Sequence, residues 1–397
     1  MKFDMSAEEV AFRDEVREFI RDNPPSQFAE DGMDGGYGSG AHSHGFMQAL
    51  GARGWVSLTW PRRYGGQEQP FFFKLILLEE LALAGAPFGP LAGLDQSADA
   101  FIRYGSERLK AELLPEIAKG KLLVWQGFSE PSAGSDLLSL RTRAQRDGSD
   151  YVLNGHKIWS SHAGIAHYGL VLARTDPTAR RHLGVTMFVV ANECPGVEIH
   201  PIKSMAGPVY HYEVFIDDVR VHEDYRLGAD NEGFITLLKG LDSDRFWGRF
   251  YKPPRLKRVL GQLVEYAKNT SRRGASLWSD AGVRRQVARL ATEIEVLRTL
   301  FWRCGWMLRE GEPTPYETAM YKVQADELGQ KVAAFAMELL GSYGNIGSDS
   351  PFEQLDGEIR HLYLTSMGQT IAGGTSEVLR STVATRGLGM PRASKPV

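Results

Sequence analysis

The sequence predicts an α+β fold in three consecutive blocks, helical at both ends with strands between them. Apolar residues recur at three- and four-residue spacing through 71–84, 294–308 and 320–340, the period of a helix with one buried face. Between those segments, residues 123–230 carry short β-branched runs bounded by turn residues. A chain of 397 residues is also long enough for two or three domains. The expected boundaries are 1–122 for an N-terminal helical domain, 123–230 for a central β domain and 231–397 for a C-terminal helical domain.

Composition narrows the function classes. Hydrophobic content of 43% and charged content of 24% are those of a soluble globular protein. A net charge of −3 gives no reason to expect nucleic acid or an anionic membrane as partner. Cys194 and Cys304 are the only cysteines, which points to a reducing compartment and away from a disulfide framework or a cysteine-rich metal site. No run of about 18 apolar residues is present, so no membrane span is expected. The N-terminal segment starts a charged helix without an apolar signal core, which makes a cytoplasmic location the expectation.

Taken in order, Ser6 followed by Glu8 and Glu9 reads as a helix start with acids in the first turn. Residues 24–45 read as irregular; the glycines Gly35 to Gly40 lack the Lys-Ser/Thr of a phosphate loop, and His42 and His44 are expected in a solvated loop. Trp55 and Trp60 read as packing residues of a turn. Helices are expected at 71–84 and 107–119, the latter closed by Gly120. Strands are expected at Gly169–Thr175, Thr186–Asn192, Val197–Pro201 and Glu213–Arg220. From Asn231 to about Leu388 the chain reads as helical, one long helix ending in Gly341-Ser342-Tyr343-Gly344.

One stretch, Gln126 to Ser161, organises the rest. Ser129-Glu130-Pro131-Ser132-Ala133-Gly134-Ser135-Asp136 is a loop, because Pro131 and Gly134 break a helix. Its backbone N–H groups and small hydroxyls suit a flavin ring edge or a pyrophosphate. Tyr151 and Leu153, then Asn154-Gly155, then Ile158 read as a hairpin with its tight turn at Asn154-Gly155.

These residues closely resemble the flavin-binding signature of the acyl-CoA dehydrogenase family. Ser129-Glu130-Pro131, Gly134-Ser135-Asp136, Asn154-Gly155 and Lys157-Ile158-Trp159-Ser160-Ser161 stand in its register, and the resemblance extends over essentially the whole chain. It implies an N-terminal helical domain, a central β-barrel or sandwich and a C-terminal four-helix bundle. It implies FAD, contacted by Phe128, Ser129, Gly134, Ser135, Trp159 and Ser161 around the ring and phosphates, and by Thr375 and Glu377 toward the adenosine. Arg272, or Arg273, is implied for a phosphate. A second subunit is implied to contribute Glu338, Gly341 and Ser342, in a homodimer, homotetramer or heterotetramer. The implied electron acceptor is an electron-transfer flavoprotein.

The family removes a proton α to a thioester and passes a hydride from the β carbon to the flavin. Its commonest base, a glutamate before Gly-Thr-Ser, is replaced here by Gly373 in Gly373-Gly374-Thr375-Ser376. Some members place the base on the helix after the β domain. Asp244 matches that position, with Arg245 beside it and Asp242 as rival. An aspartate is shorter than a glutamate by about 1.5 Å. The resemblance implies that Gly373 donates its N–H to the thioester oxygen and that Arg245 and Ser135 also face the substrate. The Gly373-Gly374 pair leaves room for a bulky or branched acyl group, such as a steroid side chain. Two other readings stand beside the dehydrogenase: a non-catalytic subunit of a heteromer, and a flavin oxidase or monooxygenase on the same fold.

Overall fold

The computed structural model describes residues 5–28, 43–89, 91–180, 182–207, 209–237, 251–347 and 350–391. Among the described residues five α-helices come first: α1 (Ala7–Asp22), α2 (His44–Ala52), α3 (Phe71–Leu83), α4 (Leu91–Tyr104) and α5 (Glu107–Ala118). Helix α1 opens with a reciprocal cap, in which the Glu9 amide donates to the Ser6 hydroxyl and the Ser6 amide to the Glu9 carboxylate. Helix α2 begins at His44, which is therefore helical and not in a loop as expected, because the buried Ser43 hydroxyl accepts from the Phe46 amide. His42 and the Gly35 to Gly40 cluster lie outside the described residues. Gly120, at φ 70°, follows α5 as expected.

Helix α3 is apolar nearly all round and packs against α1 and the C-terminal helices. Its buried charges are each paired: Lys74 with Asp95, Glu79 with Arg298 and Glu80 with Arg17. Trp55 and Trp60 are buried packing residues, Trp55 edge-on to Phe12 and Phe19.

The middle block is one eight-stranded sheet of β1 (Val124–Gly127), β2 (Arg143–Asp147), β3 (Asp150–Ser161), β4 (Tyr168–Arg174), β5 (Val185–Ala191), β6 (Val197–Lys203), β7 (Val209–His222) and β8 (Arg226–Leu227). The strand order is β6-β7-β3-β2-β4-β5-β8, with β1 parallel to β4. Strands β4 and β5 are buried on both faces and read as continuous apolar runs.

The hairpin turn is not at Asn154-Gly155. Strand β3 runs straight through that pair, and the β2–β3 turn falls at Asp147–Asp150, where Gly148 takes φ 66°. Asn154 instead faces Asp218 across β7, its amide donating at 2.9 Å to the carboxylate, beside a register shift at Leu153/Gly155. Gly155 serves close approach, since a Cβ there would lie 2.2 Å from the Thr142 hydroxyl oxygen.

The last block contains α6 (Lys252–Asn269), a small hairpin of β9 (Ser271–Arg272) and β10 (Ala275–Ser276), α7 (Ala281–Arg309), α8 (Glu317–Leu340), α9 (Glu358–Gln369) and α10 (Ser376–Thr382). Helices α6, α7 and α8 pack on one another and α9 packs on α8, which makes the helical bundle. The mixed helix and sheet content, with helices on either side of a central sheet in sequence, is the α+β architecture expected.

Candidate active site

The loop after β1 is folded around one buried carboxylate. Glu130 accepts from the amides of Arg141 at 2.6 Å and Thr142 at 2.9 Å, and from the Lys157 ammonium at 2.9 Å. Lys157, fully buried on β3, also donates to the Phe128 carbonyl at 3.3 Å. Reciprocal amide–carbonyl bonds between Glu130 and Ala133 close the tight turn through Pro131 and Ser132. The Ile158 amide donates to the Ser129 carbonyl at 3.0 Å, so the loop is sewn to β3 from both sides.

Electrostatics keep this hub charged. Burial raises the Glu130 carboxyl, but the Lys157 charge and the hydrogen bonds from Thr142 and Arg141 outweigh it and leave the group below the usual carboxylate range. Burial pushes Lys157 down to about 8, with Glu130 opposing, so the pair remains an ion pair at neutral pH.

That scaffold leaves Phe128 and Ser129 half-buried and Gly134 and Ser135 exposed. A Cβ on Gly134 would meet no heavy atom within 4 Å. The Ser135 hydroxyl makes no hydrogen bond among the described residues. Next to the loop, β3 bulges: its register with β7 shifts between Lys157 and Ser160, and Trp159 takes φ 60°. A left-handed tryptophan costs roughly 1–3 kcal/mol. The strain presents an indole that is 56% exposed, edge-on to the buried His211 ring at 5.8 Å. Ser161 pairs with His211 across the ladder, and the buried Ser160 hydroxyl has no hydrogen-bond partner.

A second group lies between α9 and α10. Gly373 and Gly374 take φ 68° and 96°, a left-handed turn that favours glycine. The Ser376 amide closes it on the Thr370 carbonyl at 2.9 Å. Thr375 caps α10, its hydroxyl accepting from the Val378 amide at 3.2 Å. The exposed Glu377 carboxyl is held below its usual range by its own backbone N–H and the Thr375 hydroxyl.

A third group joins the β9–β10 hairpin to the end of α8. The Arg272 guanidinium donates to the Leu339 carbonyl at 3.2 Å, beside Gly341 at φ 61°. Arg272, Glu338 and Ser342 are all exposed. Asp242, Asp244 and Arg245 lie outside the described residues.

Sequence reasoning named Glu130 and Lys157 as motif residues without a role, and it passed over His211. The signal for Lys157 was available: it is a lysine on the inward face of a strand whose other inward residues, Tyr151 and Leu153, are apolar. Among the described residues no cluster of His, Cys, Asp or Glu suits a metal ion, and no helix is long and apolar enough to cross a membrane.

Three family models match in succession. These are the acyl-CoA dehydrogenase N-terminal domain over residues 6–121, the middle domain over 126–219 and the C-terminal domain over 231–388. Acyl-CoA dehydrogenase FadE26 of Mycobacterium tuberculosis is 32% identical over the full length of both chains. Acyl-CoA dehydrogenase IpdE1 of the same organism is 31% identical, covering 97% of this chain and 98% of its own. Among solved structures, the Tcur3481-Tcur3483 steroid ACAD superposes with TM-score 0.90 at 31% identity, covering 99% of this chain and all of that one. A chain of the ChsE4-ChsE5 complex from Mycobacterium tuberculosis gives TM-score 0.86 at 31% identity, with 99% and 100% coverage.

Proposed function

The chain belongs to the acyl-CoA dehydrogenase family, an oxidoreductase family acting on acyl-CoA, and from that premise we propose that it is an FAD-dependent dehydrogenase converting a bulky, steroid-type acyl-CoA thioester to the 2-enoyl thioester. The observation that carries the reading is Trp159, an exposed indole in strained backbone beside a loop pinned by Glu130 and Lys157. A flavin needs a flat apolar contact, donors along its edge and open space. Trp159 offers the contact, the Phe128–Ser135 loop the donors, and the empty surroundings of Gly134 the space. Thr375 and Glu377 would hold the adenosine half, Arg272 would meet a phosphate, and a second subunit would contribute Glu338, Gly341 and Ser342. When bound, FAD supplies the acceptor for the hydride leaving the β carbon.

The chain's own residues do the rest. The Asp244 carboxylate takes the α proton, and the electron pair of that C–H bond forms the double bond as the β hydride departs. The Gly373 N–H donates to the thioester oxygen where negative charge develops, and Arg245 and Ser135 orient the thioester. The absence of side chains at Gly373 and Gly374 supports a bulky acyl group, as does the likeness to a steroid ACAD. The electrons would pass on to an electron-transfer flavoprotein. Glycine at 373 also favours a second reading, a non-catalytic partner subunit of a heteromer.

Anaerobic titration of the FAD-loaded protein with straight-chain, branched and steroid-type acyl-CoA thioesters tests both. Flavin bleaching by a bulky thioester in wild type, and a loss of at least about 100-fold in its rate in Asp244→Asn, is the expected result. Equal bleaching in both removes Asp244 from the mechanism. No bleaching with any thioester favours the partner-subunit reading.

A further inference from the structure

Segments far apart in the chain converge on one buried carboxylate in the helical bundle. Asp326, on α8, is fully buried. Lys322, one turn earlier on the same helix, places its ammonium 2.8 Å from Asp326 Oδ2. Lys252, the first residue of α6, places its ammonium 3.6 Å from Oδ1. Both lysines are as buried as the apolar core around them. Lys322 also donates to the carbonyl of Gln369, the last residue of α9, at 3.3 Å. Gly329, one turn beyond Asp326, leaves room for the Lys252 head: a Cβ there would lie 3.3 Å from Nζ.

Such an arrangement is costly, because burying an ion is unfavourable even when it is paired, and apolar side chains of like size often serve stability as well or better. Lys252 is placed worse still, at a helix N-terminus where the backbone already carries partial positive charge. Lys322, in contrast, meets a helix C-terminus, where a cation on an open carbonyl is favourable. What the cluster does accomplish is a connection. Lys252 brings the start of α6 to the same carboxylate. Gln369 stands four residues before Gly373.

We propose that Lys252, Lys322 and Asp326 are positioning residues that tie the C-terminal end of α9, from which the Gly373 turn departs, to α6 and α8, so that the Gly373 amide is held in place for the thioester oxygen. This rests on the role given to Gly373 above. Asp326 is the pivot, and Lys322 fixes the C-terminal end of α9, from which the left-handed Gly373-Gly374 turn departs.

The test compares FAD-loaded Lys322→Met, Lys322→Arg and Gly329→Ala with wild type by two readouts. In amide hydrogen exchange, residues 366–376 should exchange about 10-fold faster in Lys322→Met, while residues 71–83 on α3 stay unchanged. In single-turnover flavin reduction at saturating thioester, Lys322→Met should lose roughly 100-fold in rate, the scale of a 1 Å misplacement, with thioester affinity and FAD content kept. Lys322→Arg, which keeps the charge, should recover part of both. If Lys322→Met does not fold, Gly329→Ala crowds the same cluster without removing a charge, and the same local rise in exchange is expected. Unchanged exchange in 366–376, or faster exchange everywhere in step with lost thermal stability, overturns the proposal. If no thioester reduces wild-type flavin, the proposed function fails, and the exchange comparison still decides whether the clamp exists.

Discussion

Trp159 and His162 take φ 60° and 62°, three residues apart at the end of one strand, and each is held by an aromatic contact to β7. His211 is the buried member of that contact. Burial alone pushes its imidazole down to about 4, against about 6.5 for a free one. Between those values the unfolded chain binds a proton that the folded chain refuses, so stability rises with pH across the window and is lost on acidification. The full window corresponds to about 3 kcal/mol. Asp95 acts in the opposite sense, because burial raises its carboxyl to about 6 in spite of Lys74, so the folded chain takes up that proton first. Comparing wild type with His211→Gln in urea unfolding at about pH 7.5 and about pH 4.5 isolates the histidine. The variant should lose less stability on acidification, and equal losses would rule His211 out as the cause.

At the scale of the element, the β1–β2 loop owes its shape to Glu130 and Lys157. Glu130→Ala leaves an unpaired ammonium in the core and should cost about 3–5 kcal/mol in denaturant unfolding. Adding Lys157→Met removes that orphan and should recover part of the loss. Equal destabilisation of the single and double variants would show that the pair contributes through something other than charge. The loop's position was legible in the sequence because Pro131 and Gly134 forbid a helix there. Its internal wiring was not, because Arg141 and Thr142 reach Glu130 only after the chain has turned back. The misplaced hairpin turn has a similar cause. Asn154-Gly155 has the composition of a turn, but Gly155 is required where Thr142 presses on the strand, and the turn went to Gly148.

Across the whole molecule, the proposed cofactor contacts come from two blocks: the loop beside β3 in the middle block, and the turn before α10 and the β9–β10 hairpin with the end of α8 in the last. A ligand bound only by the folded state stabilises it by about 2.7 kcal/mol at a hundredfold excess over its Kd. FAD at that excess should therefore raise the melting temperature of the apoprotein, and Trp159→Ala should shrink the shift at equal FAD concentration. A shift of full size in the variant would place the flavin elsewhere.

The sequence by itself determined the order of helical and β blocks, because periods of 3.6 and 2 are written in local apolar spacing. It also determined the family, because Ser129 to Ser161 carry a two-part signature in register. Tertiary structure decided which charged residues would be buried together: Glu130 with Lys157, and Lys252 and Lys322 with Asp326. An ion pair is made by proximity in space, and residues more than seventy positions apart, as Lys252 and Asp326 are, carry no local pattern that announces it.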